Sequence, residues 1–237
     1  MKKYLIDKKN QLILLLCALF LMGALRENAR FIFWVLGGVL VAAAADTLIK
    51  YFFFKQKIFP KSAVISGCIV SGIINYQEPW YVLCFFCVLA IVSKNVIKYK
   101  KQHIFNPANF ALFAATLFKI PLTWNIESNI YVIIAFGLYM AYSIKKIPHV
   151  LGFLLFFSVP LLIGQINPLL MVSWFFVFIM LIEPKTSGFG RVRGFVFGGI
   201  TGLSAFLIMK YSPSYDLFVS ALFIANLLSP VLKMIKK

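Results

Sequence analysis

Apolar residues run along this chain in long unbroken stretches, separated by short polar or basic breaks. Ten stretches can be read, at roughly residues 11–25, 31–53, 62–76, 79–97, 107–120, 130–144, 148–163, 167–182, 192–209 and 214–232. Continuous apolar runs, unlike one-sided stripes, belong to helices surrounded by lipid or by other helices. Several fall short of the ~20 residues that a simple crossing needs. The first follows Lys2, Lys3, Lys8 and Lys9 and mimics a signal peptide, but no small-x-small cleavage site follows, so it reads as an uncleaved first helix. The pattern predicts an all-α polytopic membrane protein with about ten transmembrane segments.

One break stands apart from the others. In His103-Ile-Phe-Asn106-Pro107-Ala108-Asn109-Phe110, two asparagines and a proline interrupt an apolar context. Asn-Pro begins a helix well, because the Asn side chain caps the first amides and Pro at the first helical position gives up no hydrogen bond. The apolar run that follows is too short to cross a bilayer. It reads either as a half-helix pointing into a protein-lined cavity or as a helix cap at the membrane surface.

Charge orients the segments. With the N-terminus in the cytoplasm and alternating crossings, 20 of the 24 Lys and Arg residues fall inside, and only Arg26, Arg30, Lys119 and Lys210 fall outside. Both termini are then cytoplasmic. The prolines suggest an internal repeat: Pro60 and Pro168, Pro79 and Pro184, Pro107 and Pro213, and Pro121 and Pro230 are offset by 108, 105, 106 and 109 residues. Two of these prolines follow a glutamate, Glu78 and Glu183. Five segments per half is an odd number, so the halves, 1–125 and 126–237, would be inverted repeats within one membrane domain.

Composition agrees: 62% of residues are hydrophobic, 13% are charged, and mean hydropathy is +0.91. A net charge of +17 could suggest nucleic acid, but 26 Phe and only 7 acids exclude a basic soluble domain. Cys17, Cys68, Cys84 and Cys87 all lie in apolar segments and imply no disulfide framework. Cys84-Phe-Phe-Cys87 reads as packing, with metal or redox spacing the alternative.

Several stretches together carry a family resemblance. Lys61-Ser-Ala-Val-Ile-Ser-Gly67, Ser93-Lys94-Asn95 and His103 to Phe110 form one set. Glu183-Pro-Lys-Thr186-Ser187-Gly188-Phe-Gly190-Arg191-Val-Arg193-Gly194 and Phe223-Ile-Ala-Asn226-Leu-Leu-Ser-Pro230 form the other. Together they resemble a family of membrane proteins that includes the D member of Rnf-type electron-transport complexes and the B member of the sodium-pumping NADH:quinone oxidoreductase. The resemblance runs from about residue 35 to 232. It implies ten helices in two inverted five-helix repeats, a fold related to urea channels. Family members in the full complexes carry a Ser-Gly-Ala-Thr element in an outer loop, whose Thr holds FMN through a phosphoester. The corresponding loop here, about Lys119 to Asn129, lacks it, and Thr186-Ser187-Gly188 lies in the other half, so covalent FMN is not expected.

Each candidate residue has more than one reading. Asp46 is an ion-pathway carboxylate or one side of a helix-end salt bridge with Lys50. Glu183 binds a cation, anchors a flavin-cradling loop, or makes a loop ion pair. Thr186, Ser187 and Gly188 precede a helix that opens with Arg191 and Arg193, whose amides can hold an anion such as a flavin phosphate or a lipid headgroup, or hold nothing. Asn106, Asn109 and Asn226 line an ion or solute path, or hydrogen-bond neighbouring helices. Ser62, Ser66, Gly67, Ser71 and Gly72 allow close helix approach, and His103 and His149 are separate and form no metal site. No catalytic residue is identified.

Three functions follow. The first is an integral component of an Rnf/Nqr-like complex in a cytoplasmic (inner) membrane, in contact with lipid and other membrane subunits and with no nucleic acid. It would bind FMN or riboflavin non-covalently, or meet a flavin-bearing partner, and couple electron flow to Na⁺ or H⁺ movement. The second is a stand-alone channel or transporter for a small solute. The third is a membrane scaffold without a redox role.

Overall fold

A computed structural model describes residues 7–55, 59–99, 102–183 and 188–234. Its helices in chain order are α1 (Lys8–Ala24), α2 (Ala29–Phe54), α3 (Lys61–Ile73), α4 (Trp80–Val96), α5 (Pro107–Leu117), α6 (Ile130–Ser143), α7 (Ile147–Ile163), the four-residue α8 (Pro168–Met171), α9 (Arg191–Tyr211) and α10 (Leu217–Met234). A two-residue antiparallel ladder, Lys98–Tyr99 with Gln102–His103, leads into α5. Among the described residues, α2 over Ala29–Phe53, α9 and α10 are long and apolar enough to cross a membrane, while α3 to α7 are apolar but shorter. Ten crossings in two inverted repeats are therefore not established by helix length.

The segment expected at 167–182 is not one helix. Asn167 caps α8, its Oδ1 accepting from Leu169 N at 3.0 Å, and the helix stops at Val172. Ser173 then caps a new start, its Oγ accepting from Phe176 N at 3.1 Å, and Phe176–Met180 winds as a π-helix. Val172, Ser173 and the residues from Phe175 to Ile182 are buried. Irregular backbone in a membrane protein is tolerated where protein covers it, as here.

The chain forms two compact units, residues 1–96 with 110–129 and residues 97–109 with 130–237. The segment 97–109, placed in the first half on sequence grounds, thus packs with the second unit. In the first unit α1 to α4 alternate in direction. Trp34 Nε1 donates to Ser71 O at 3.1 Å near the start of α2, and Gly67 leaves room for Ala42 and the backbone of Gly38 further along, so α2 and α3 are antiparallel. Trp80, packed on Gly37, and Lys94, bonded to Asp46, make α4 parallel to α2. Gly38 and Gly67 do here what small residues do between membrane helices: they let backbones touch. The loop at 119–129 lies along the end of α3, with Thr123 N donating to Ile73 O and Ile126 N to Gly72 O.

The second unit is built on α7 and α9. A Cβ on Gly198 would meet the backbone of His149 and Phe153, one on Gly202 the backbone of Phe153 and Phe157, and one on Gly152 the backbone of Phe195 and Gly199. The residue numbers of these partners rise together along both helices, so α7 and α9 run parallel at backbone contact. Parallel neighbours require the chain to return between them. The broken stretch from Asn167 to Ile182 lies in that connection.

Candidate functional site

Asp46 is fully buried on α2, and two lysines hold it. Lys50 Nζ lies 2.6 Å from Oδ2, and Lys94 Nζ, from α4, lies 2.8 Å from Oδ1. Lys94 also donates to Ser62 Oγ at 2.7 Å in the first turn of α3. One carboxylate thus ties three helices together at one end of the first unit. At the same end, Lys61 pairs with Asp7, the cap of α1, at 2.7 Å, and this bond holds the Asp7 carboxyl below its ordinary range. The helix-end pair with Lys50 is present. Lys94 was not anticipated, although an isolated Lys in the last turn of an apolar run was its signal.

The polar end of the second unit gathers Lys146 and His149, which the sequence left unassigned. Lys146 Nζ is 3.2 Å from His149 Nε2, and both residues are buried. Gly194 makes room for the His149 ring, which packs against Phe189 and Phe197. Burial pushes the Lys146 ammonium down to about 8. The parallel starts of α7 and α9 bring Gly190, Arg191 and Arg193 to the same end as Lys146. Gly188, Gly190 and Arg191 are exposed, and Arg193 and Glu183 are half-buried. Thr186 and Ser187 lie outside the described residues.

The third polar group lies on α10. Asn106 caps α5 as its sequence suggests, Oδ1 accepting from Asn109 N at 3.2 Å. Asn109, fully buried, donates from Nδ2 to Val219 O at 3.1 Å, and Phe105 stacks on Phe223 with ring centroids 4.7 Å apart. The segment 105–109 therefore runs antiparallel along one face of α10. Asn226 follows Val219 by two turns and sits within about 20° of it at 3.6 residues per turn. Asn226 is 0% exposed, and among the described residues neither its Oδ1 nor its Nδ2 has a hydrogen-bond partner. Ser229, one turn on and 1% exposed, has an Oγ unpaired among the described residues, and so has Asn109 at Oδ1. Pro230 lies inside the helix and removes the amide that would bond the main-chain carbonyl of Asn226. Ser220 Oγ is also unpaired among the described residues, but it lies about 120° around the helix from Asn226 and about 9 Å back along it, whereas Ser229 lies about 60° away and one turn on. Each buried polar atom left unpaired costs roughly 1–3 kcal/mol, so this concentration asks for a compensating contact.

Of the pathway candidates, the structure brings Asn106 and Asn109 together and sets Asn109 and Asn226 on one face of α10. Asp46 belongs to a separate cluster in the first unit. Comparison with protein-family models and with curated proteins finds no match.

Proposed function

We propose that this chain is a multi-pass protein of a cytoplasmic (inner) membrane that moves a small polar species or ion across it, with the path in the second unit. The observation that carries the reading is Asn226, a fully buried amide with both polar atoms unpaired among the described residues, midway along an apolar helix long enough to cross the bilayer. Polar groups in such helices mark substrate paths when no neighbouring helix bonds them. The buried helix break at Val172–Ser173 supports the same reading, because discontinuous helices build the binding sites of many transporters. Ten crossings with both termini cytoplasmic are part of the proposal. Their support is the 20-to-4 charge split, the alternation of α1 to α4, and the return that parallel α7 and α9 require. The test is flux into proteoliposomes that hold the purified protein alone. Facilitated entry of any small polar probe supports transport; none for water, formamide, Na⁺ or K⁺ overturns it.

A second reading is a component of an electron-transport complex of the Rnf/Nqr kind, working with other membrane subunits to couple electron flow to Na⁺ or H⁺ movement. Its support is the basic end of α9. A Cβ on Gly190 would meet none of the described residues within 4 Å, and Arg191 and Arg193 follow it at the start of the helix. These residues fit the phosphate of a non-covalent FMN; riboflavin would lack that contact. Flavin absorbance released on denaturation supports this reading, and a colourless protein removes it.

A further inference from the structure

We infer that the species handled at the Asn226 site is a small uncharged molecule that both donates and accepts hydrogen bonds, and that Asn226 and Ser229 contact it. This rests on the transport reading above and narrows it to one class of substrate.

The argument is an inventory of unpaired atoms. The Asn226 amide offers two N–H donors and one carbonyl acceptor, all unpaired among the described residues, and the side chain is fully buried. Its main-chain carbonyl, deprived of the Pro230 amide, is a further acceptor. Ser229 Oγ, one turn on, can donate or accept; Asn109 Oδ1, beside Val219 and about 10 Å back along the helix from Asn226, is a separate acceptor. A bare cation would satisfy the oxygens and leave the Asn226 N–H groups buried and unpaired. An anion would do the reverse. Only a ligand with both kinds of group answers the Asn226 amide and Ser229 together.

Charge points the same way. Asp216, ten residues before Asn226, is committed to capping α10, its Oδ1 accepting from Phe218 N at 3.1 Å and Val219 N at 2.9 Å. The ionisable side chain on α10 nearest to Asn226 is Lys233, seven residues on, and its charge repels a cation. No carboxylate on α10 stands where it could offset a desolvated cation, whose burial without a counter-charge is prohibitive.

The test uses stopped-flow light scattering for water and formamide entry into proteoliposomes, with ion-sensitive dyes for Na⁺ and K⁺ in the same preparation. The expected result is water or formamide permeation above that of protein-free vesicles, no Na⁺ or K⁺ flux, and at least a tenfold loss of the facilitated part in Asn226→Leu. Asn226→Leu should unfold in detergent no earlier than the wild type, since it removes unpaired polar atoms and breaks no bond. Na⁺ or K⁺ flux without uncharged flux overturns this inference and leaves the transport reading standing. Absence of all flux overturns both. An Asn226→Leu protein that unfolds early, or that keeps full permeation, shows a structural asparagine and overturns the inference.

Discussion

Lys94 is more deeply committed to Asp46 than Lys50 is: its side chain is 9% exposed, against 20%. Lys50 sits near the end of α2 and can extend toward water, whereas Lys94 is held by Asp46 and Ser62 together. One carboxylate against two ammonium groups leaves the cluster with an excess positive charge, so Asp46 is the member whose loss is felt most. Asp46→Leu strands a buried cation and is expected to destabilise the protein by roughly 3–5 kcal/mol. Lys94→Met leaves the Asp46–Lys50 pair neutral and costs less. The double variant, with no stranded charge at α4, should recover part of the Asp46→Leu loss, giving a coupling of the sign that only paired residues show. Unfolding temperatures of the three variants in detergent decide it, and additive losses would mean that the two side chains do not interact. None of this was visible along the chain except the Lys50 contact. Asp46 and Lys50 are one helical turn apart, but Lys94 is 48 residues away, and only the parallel course of α4 beside α2 delivers it.

At the scale of the element, the sequence was legible where the signal is local. Asn106-Pro107 starts α5 because a cap needs only its own next three residues. The stretch 167–182 was misread because hydropathy stays high through Val172 and a single Ser173, while the helix breaks there for want of a continuous ladder and resumes on the Ser173 cap. The α7–α9 contact was half legible. Gly194, Gly198 and Gly202 are spaced by four on one face, a pattern that brings membrane helices close, but its partner on α7 could not be read from spacing alone. The structure makes that contact strict. A Cβ on Gly198 would push into the His149 carbonyl, which is backbone and cannot turn aside, and Gly198→Val should separate the helices. The expected loss is several kcal/mol or failure to fold. Gly164→Ala is the control: the added carbon finds only an ordinary contact at 3.4 Å, and its effect should stay within about 0.5 kcal/mol. Equal stability of the two variants in a thermal melt would show that α7 and α9 do not meet through Gly198.

For the whole molecule, the charged ends and the helix directions bear on one question, which side of the membrane each loop faces. α2 has 26 residues, about 39 Å at 1.5 Å per residue, enough to pass through the hydrocarbon core with its ends in water. Near its start, Arg30 Nη2 donates to Gln77 O at 3.1 Å, in the loop between α3 and α4, and the exposed Trp80 ring lies tilted against the buried Trp34 with centroids 5.3 Å apart. Its other end holds Lys50 and Lys55 beside Lys61 and Lys94. A membrane that keeps basic loops on the cytoplasmic side puts Lys55 inside and Gln77 outside. Both residues are exposed, so each can report as a cysteine in a background whose four native cysteines are replaced. Gln77→Cys should react with a membrane-impermeant maleimide in intact cells, and Lys55→Cys only after permeabilisation. The reverse pattern would invert the protein and with it the reading of all 20 basic residues. Reaction of both in intact cells would place both ends of α2 on one side, and the alternation of α1 to α4 would then describe a bundle lying against the membrane and not one passing through it.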